Sequence, residues 1–388
     1  MTVKTHLVYL TLFSLAYSIT IITSIFLLPI ISDIIHIHAV SAFPANKSTT
    51  TPNNITNLNN LNNTLLNHAP LANVGVNQTV NKTNIGNSSH PTLPSTNNQS
   101  EFTFVRKWTT YNDGGGPHYL AIDPKTGNVY VTYFEEYFIE KFTSDGKFIT
   151  KWGSPGTGDG QLNGTQDIAV DSSGNVYVND YHNCRVQKFD SSGNFIKNWG
   201  ICGNENGQFN YLLGIAVDPS GNVYASDTQN NVLQKFDSNG NFINSWGSNG
   251  VGEGQFNVGP YGIAADSLGN IYAGDQGNDR IQVFTSDGKF IRKWGSPGTG
   301  DGEFNSPIGI AMNPNTNNVY VADSSNDRIQ VFTSDGKFIT KWGSTGTGDG
   351  QFNFPTDVAV DPKTNHVYVT DRLNNRIQVF APSNNTSK

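Results

Sequence analysis

From residue 101 onward the chain is dominated by short apolar stretches of alternating character. One unit reads Pro307-Ile-Gly-Ile-Ala-Met-Asn313, then Asn318-Val-Tyr-Val-Ala-Asp323, then Asn326-Asp-Arg-Ile-Gln-Val-Phe332, then Gly336-Lys-Phe-Ile-Thr-Lys-Trp342. Each piece is β-branched or aromatic with period two, and is bounded by Gly, Asn, Asp or Ser, which predicts a strand. Turns such as Ser172-Ser-Gly-Asn175 and Ser334-Asp-Gly-Lys337 join the pieces. In such turns Gly or Asn takes the positive φ. The pattern predicts four antiparallel strands per unit.

The unit recurs. All six tryptophans occupy one context, at Trp108, Trp152, Trp199, Trp246, Trp294 and Trp342. A period near 47 residues with four strands per copy predicts propeller blades, six in number. Innermost strands start near His118, Gln166, Leu213, Tyr261, Ile308 and Thr356. The last repeat stops at Phe380, after its third strand. Its missing fourth strand is at the other end, where Phe104-Val-Arg-Lys-Trp108 matches Phe338-Ile-Thr-Lys-Trp342. The N-terminal strand should therefore complete the last blade and close the ring, removing its free edge.

The units resemble NHL repeats, a family of six-bladed propellers. The matching residues are Ile215 to Asp218, Val176 to Asp180, and Asn278 to Phe284, and the resemblance covers residues 101–380. It implies an all-β fold. It leaves function open, because members include binding and sensor domains, RNA binders and a few metal-dependent enzymes.

Two segments precede the propeller, which spans 101–388. Residues 1–42 are apolar from Leu7 to Ile31 and end in Ala39-Val40-Ser41-Ala42. That predicts an apolar helix acting as a signal peptide or membrane anchor, with the rest of the chain extracytoplasmic, secreted or held at the cell surface. Residues 43–100 contain 16 Asn and no acid. This low-complexity composition predicts a disordered stalk. Its sequons at Asn46, Asn54, Asn62, Asn77, Asn81, Asn87 and Asn98 make it a candidate for glycosylation.

Net charge is −7 for the whole chain and −9 for residues 101–388. A phosphate backbone needs a basic face, so nucleic acid is excluded as the main partner. Two cysteines exclude a disulfide-dense scaffold. Both fall in blade 2, at Cys184 and Cys202, on strand ends that should be neighbours, so a disulfide is expected. His118 and His182 belong to the upper face and His366 to the lower, so a three-histidine zinc centre is not expected.

Most recurring residues read as scaffold. Asp180, Asp275, Asp323 and Asp371 are each followed five residues later by Arg, a spacing that suits a loop-clasping ion pair. Irregular residues point to function. In blade 1 the clasp becomes Tyr133, Phe134, Glu135, Glu136, Tyr137 and Phe138, read as exposed aromatics on a recognition surface. At the channel mouth, His118, Tyr119, Gln166 and Thr356 form a polar arc from blades 6, 1 and 2, while blades 3 to 5 supply Gly and apolar groups. Asp167 and Asp357 are a possible calcium pair, though two carboxylates are few.

The sequence is thus read as a monomeric extracytoplasmic binding domain that recognises a protein, peptide or glycan through its upper face. Binding ranks ahead of the alternatives, a metal-dependent lyase or hydrolase working in the channel and a structural envelope protein.

Overall fold

The computed structural model describes residues 102–110, 116–134 and 136–383. The apolar segment 1–42, the stretch 43–100 with its sequons, residues 111–115 and Glu135 lie outside the described residues. Among the described residues no helix is long and apolar enough to cross a membrane.

The alternation seen in the sequence produces six four-stranded antiparallel sheets. Blade 1 is β2 (Pro117–Ile122), β3 (Val129–Tyr133), β4 (Ile139–Phe142) and β5 (Phe148–Trp152). Blades 2 to 5 repeat this order, with innermost strands β6 (Thr165–Val170), β10 (Leu212–Val217), β14 (Pro260–Ala265) and β18 (Pro307–Met312). Blade 6 combines β22 (Pro355–Val360), β23 (Val367–Asp371) and β24 (Arg376–Pro382) with β1 (Phe102–Thr109). Strand β1 pairs antiparallel with β24, from Phe102 opposite Pro382 to Thr109 opposite Arg376. The ring is closed as the sequence predicts.

The core lies between blades. Six buried clusters each join two adjacent sheets, as where Tyr272, Ile281 and Val283 of blade 4 meet Phe304, Ile310 and Val321 of blade 5. Five of the six outer-strand Trp residues pack under a turn glycine of the next blade. At Gly146 (φ +88) a Cβ would lie 2.6 Å from the Trp108 ring, so only glycine suits the spot. The last Trp, at the seam, has no such turn above it. Phe102 takes that place and stacks on Trp342 with centroids 4.3 Å apart.

The clasp is a buried ion pair. Arg376 Nε donates to Asp371 Oδ2 at 2.6 Å, and the same pair forms at Arg185–Asp180, Arg280–Asp275 and Arg328–Asp323. The Arg376 Nη2 also donates to the carbonyls of Gly348 and Gln351. The Gly-rich loops are therefore held by arginine through their carbonyls. Leu162, Phe209, Phe256, Phe304 and Phe352 are fully buried plugs at the same loops.

Candidate functional site

Position within the unit decides which side chains reach the axis. In blades 2 to 6 the second strand ends in an Asp that is wholly or almost wholly buried and bonded to its own loop. The residue immediately after it starts a tight turn at the upper end of the ring. In blades 1, 2, 3 and 6 that residue is Phe134, Tyr181, Thr228 and Arg372, and all four line one cavity of about 650 Å³. The first residue of each inner strand that faces the axis adds His118, Gln166, Leu213, Tyr261 and Ile308. Below it, a narrower cavity of about 210 Å³ continues between the inner strands and is lined by aliphatic groups with Asp167 and Asp357.

A third layer comes from the loops entering the inner strands, where the chain turns through positive φ. Glycine stands there in blades 1, 2 and 4, at Gly116, Gly164 and Gly259. Tyr211 (φ 65), Val258 (φ 60) and Phe354 (φ 57) hold the same region without glycine, and all three line the cavity. Bulky or β-branched residues rarely adopt this conformation, and such strain persists where the surroundings impose it. Tyr181 meets Tyr211 edge to face, with centroids 5.3 Å apart.

His118 sits at the floor of this bowl. Its ring stands edge-on to Tyr119 at 4.5 Å and to Phe134 at 5.5 Å. It is hydrogen-bonded to Gln166, while burial and the nearby Arg372 charge push its pKa down to about 3. The imidazole is therefore neutral at physiological pH. Its Nδ1 is buried without a hydrogen-bond partner. The Arg372 guanidinium lies over the Phe134 ring at 5.3 Å. Among the described residues no carboxylate lines the cavity.

His118, Tyr119, Gln166 and Phe134 thus reach the cavity. Several other expected residues do not. Tyr133 is fully buried, and its hydroxyl donates to Glu140 Oε2 at 2.5 Å. Phe138 packs on Tyr133 at 5.5 Å and takes the Lys151 ammonium over its ring at 4.7 Å. These contacts replace the Asp–Arg clasp, so the blade 1 departure is largely a second way of closing the same loop. Thr356 is also fully buried, and its hydroxyl donates to the His118 carbonyl from behind. Tyr137 is exposed and Glu136 half-buried, and neither lines the cavity. The expected polar sector is broader than blades 6, 1 and 2. Tyr261 of blade 4 and the amides Gln229, Asn231, Asn249 and Asn257 complete the wall.

The carboxylate pair has a scaffold role. Asp357 Oδ2 accepts the N–H of Leu120, and Asp167 Oδ2 accepts that of Ile215, each across a blade boundary at 2.9 Å. Burial raises both pKa values, that of Asp167 to about 7, and the Asp167 charge raises Asp357 further. In blades 3 to 5 the same position is Gly214, Gly262 and Gly309, where a Cβ would collide with the neighbouring inner strand. Among the described residues no three His, Cys, Asp or Glu side chains gather as metal ligands. Calcium takes six to eight oxygens, so this pair between aliphatic walls is a poor fit for it.

Cys184 and Cys202 are joined in a disulfide, with Cα atoms 4.9 Å apart. Cys184 follows the Tyr181–Asn183 turn, so the bond pins the segment that carries Tyr181. Closing a loop of this length stabilises by about 3 kcal/mol in the chain-entropy view.

Sequence comparison agrees with this architecture. Residues 260–329 and 315–382 match a family described as a 6-bladed beta-propeller, and residues 162–189 match the NHL repeat. The chain is a six-bladed β-propeller, with one NHL-repeat match in its second blade. No curated protein matches it. Among solved structures the propeller is similar to a streptogramin B lyase, at 14% identity and TM-score 0.52, over 72% of this chain and 97% of that one. It is similar to a catalytically inactive virginiamycin B lyase from Staphylococcus aureus with quinupristin, at 17% identity and TM-score 0.50, over 74% and 91%. It is also similar to an auxiliary nutrient binding protein from Bacteroides thetaiotaomicron, at 16% identity and TM-score 0.53, over 69% of each chain. At these identities the likeness is one of fold.

Proposed function

We propose that the propeller is an extracytoplasmic, monomeric binding domain that takes a peptide or glycan, free or part of a larger protein, in its upper cavity. One observation carries the reading: His118 Nδ1 is buried in the cavity wall with no partner. An unmet buried polar atom costs about 1–3 kcal/mol. A ligand that supplies the bond recovers that cost, so the cavity favours occupancy. The side chains at positive φ around the rim support the same reading, since strain of this kind collects at ligand sites. The apolar start, the sequon-rich stretch and the disulfide are what an exported chain would carry.

Binding is favoured over catalysis by the chemistry of the walls. Among the described residues the lining has no carboxylate, and His118 is held as a weak base far from neutral pH. The test is a labelled propeller on glycan and peptide arrays, with a Phe134→Ala/Tyr181→Ala variant beside it. The double variant should keep its circular dichroism and melting temperature but lose at least tenfold in signal on the probes that the wild type selects. Equal binding by both proteins would remove the cavity from the account.

A further inference from the structure

We infer that the blade 3 side of the cavity is a subsite for a saccharide, whose C–H face lies on the Tyr211 ring while its hydroxyls meet Asn231, Asn257 and His118. This rests on the cavity being a binding site.

The first argument is a scaffold contact given up at one place. In blades 4 and 5 the residue that ends the tight turn after the second strand is Asp279 or Asp327. Its Oδ1 accepts the N–H of the residue leading into the next inner strand, Ser306 at 2.8 Å and Phe354 at 2.7 Å. Asn231 holds the matching position in blade 3, with the same left-handed backbone (φ 56) and the same turn bond to the Thr228 carbonyl. Yet its Oδ1 is buried and accepts nothing. The loop it should meet is longer: three residues separate Phe256 from Pro260, where two separate Phe304 from Pro307. Asn257 and Val258 of that longer loop line the cavity with Asn231.

The chemistry of these atoms selects the ligand. Asn231 Nδ2 donates to the Gln229 carbonyl at 3.2 Å and Asn257 Nδ2 to the Gly277 carbonyl at 3.0 Å. Each carboxamide is thereby left with its oxygen to accept. His118 Nδ1 is unmet on the floor and, in a neutral ring, donates or accepts according to tautomer. A hydroxyl does both, so hydroxyls answer every one of these atoms. A carboxylate or phosphate only accepts and would leave Asn231 Oδ1 unmet.

Tyr211 is the second argument. Glycine stands at its position in blades 1, 2 and 4, so the turn itself needs no side chain there. Tyr211 instead holds φ 65 with half of its surface exposed at the cavity wall. A bulky residue is disfavoured in this conformation, and no core burial offsets the cost. The Tyr211 carbonyl accepts the N–H of Thr228 at 3.0 Å, which ties the ring to the turn that carries Asn231. Platform and acceptors are thus fixed relative to each other, which lowers the ordering cost of binding. A sugar, with C–H groups on its face and hydroxyls at its rim, matches a flat ring beside acceptors. An extended peptide pairs its main chain with a sheet edge, whereas these groups are side chains around a rim.

The test is calorimetry with maltotriose, cellotriose, mannotriose, chitotriose and N-acetylated triglycine. The proteins are the wild type, Y211G, N231G and Phe134→Ala/Tyr181→Ala. At least one trisaccharide should bind. Y211G should weaken it at least tenfold, N231G at least threefold, and per-O-methylation of the sugar, which removes its donors, at least tenfold. Both glycine variants should keep the wild-type melting temperature, because glycine suits a positive φ. Saccharide binding unchanged in Y211G and N231G would overturn the subsite; if the double variant alone lost it, the cavity would stand, and if no variant did, both readings would fall. Equal binding of the methylated sugar would overturn recognition through hydroxyls. Binding of the peptide and of no trisaccharide, lost in the double variant, would overturn the saccharide and leave the cavity as the site. No binding of any of the four trisaccharides would overturn the inference outright.

Discussion

The loops after the second strand of blade 1 and of blade 6 invite opposite readings from sequence and reverse them in three dimensions. Blade 1 breaks the repeat from Tyr133 to Phe138, yet most of that departure turns inward. Tyr133 bonds Glu140 and Phe138 packs over Tyr133, so the loop is closed by different atoms in the same place. Its backbone is stitched to blade 2 as well, with Thr165 N donating to the Glu136 carbonyl and Thr165 Oγ1 to that of Tyr133. Blade 6 keeps the regular clasp of Asp371 and Arg376, and on that frame the residue after the Asp, Arg372, lines the cavity. A broken motif can be a repaired scaffold, while an intact one can present a side chain to the cavity.

The largest expected effect comes from cutting the regular clasp. Asp371→Ala leaves Arg376 buried beside carbonyls with no carboxylate, and removing one partner of a buried pair costs about 3–5 kcal/mol. Chemical denaturation should show a loss of that size. A loss under 1 kcal/mol would mean that the clasp is dispensable and that blade 1 never needed a substitute for it.

Tyr133→Phe is the matching cut in blade 1. It removes one hydroxyl and leaves the Glu140 carboxyl buried without that donor, which should cost about 1–3 kcal/mol. Binding to array probes should be unchanged, because Tyr133 does not line the cavity. Lost binding at unchanged stability would return Tyr133 to the recognition surface.

The fold was legible because the blades repeat the same signals: strand period, turn residues, the terminal Trp and, in all but blade 1, the buried Asp. The closing strand was legible because Phe104 to Trp108 is a misplaced copy of a known piece. The disulfide followed from two exceptions in one blade. The site was only partly legible. Reading exceptions finds Phe134 and His118 but cannot say which way Tyr133 and Phe138 point, since alternation along a strand continues into the loop. Tyr181, Thr228 and Arg372 escaped because each stands at a position whose neighbours look regular. The usable signal was variation directly after a repeated Asp. Tyr211, Val258 and Phe354 escaped for another reason, because a positive φ at a residue other than Gly leaves no mark in composition.

Asp167 and Asp357 are a third kind of departure, and pH tells which side of the comparison they fall on. Blades 3 to 5 have glycine there, and the carboxylates instead accept N–H groups of the following blade. As scaffold, they carry an electrostatic cost. The folded Asp167 keeps its proton up to about pH 7, whereas in the unfolded chain it is lost near its ordinary value of 3.8. A group whose folded pKa is raised makes the folded state bind more protons between those values, so stability falls as pH rises from about 4 to about 7 and is level above. Asp357 acts in the same direction. Asp167→Asn removes this titration while leaving an acceptor for the Ile215 N–H. The melting temperature of the variant relative to the wild type should therefore climb by a few degrees, on the order of 1–2 kcal/mol, between pH 4.5 and 7.5. A flat difference, with a wild-type melting temperature that rises in millimolar calcium, would mean that a cation neutralises the pair. The exchange of Gly for Asp would then belong with the cavity residues rather than with Tyr133 in the scaffold.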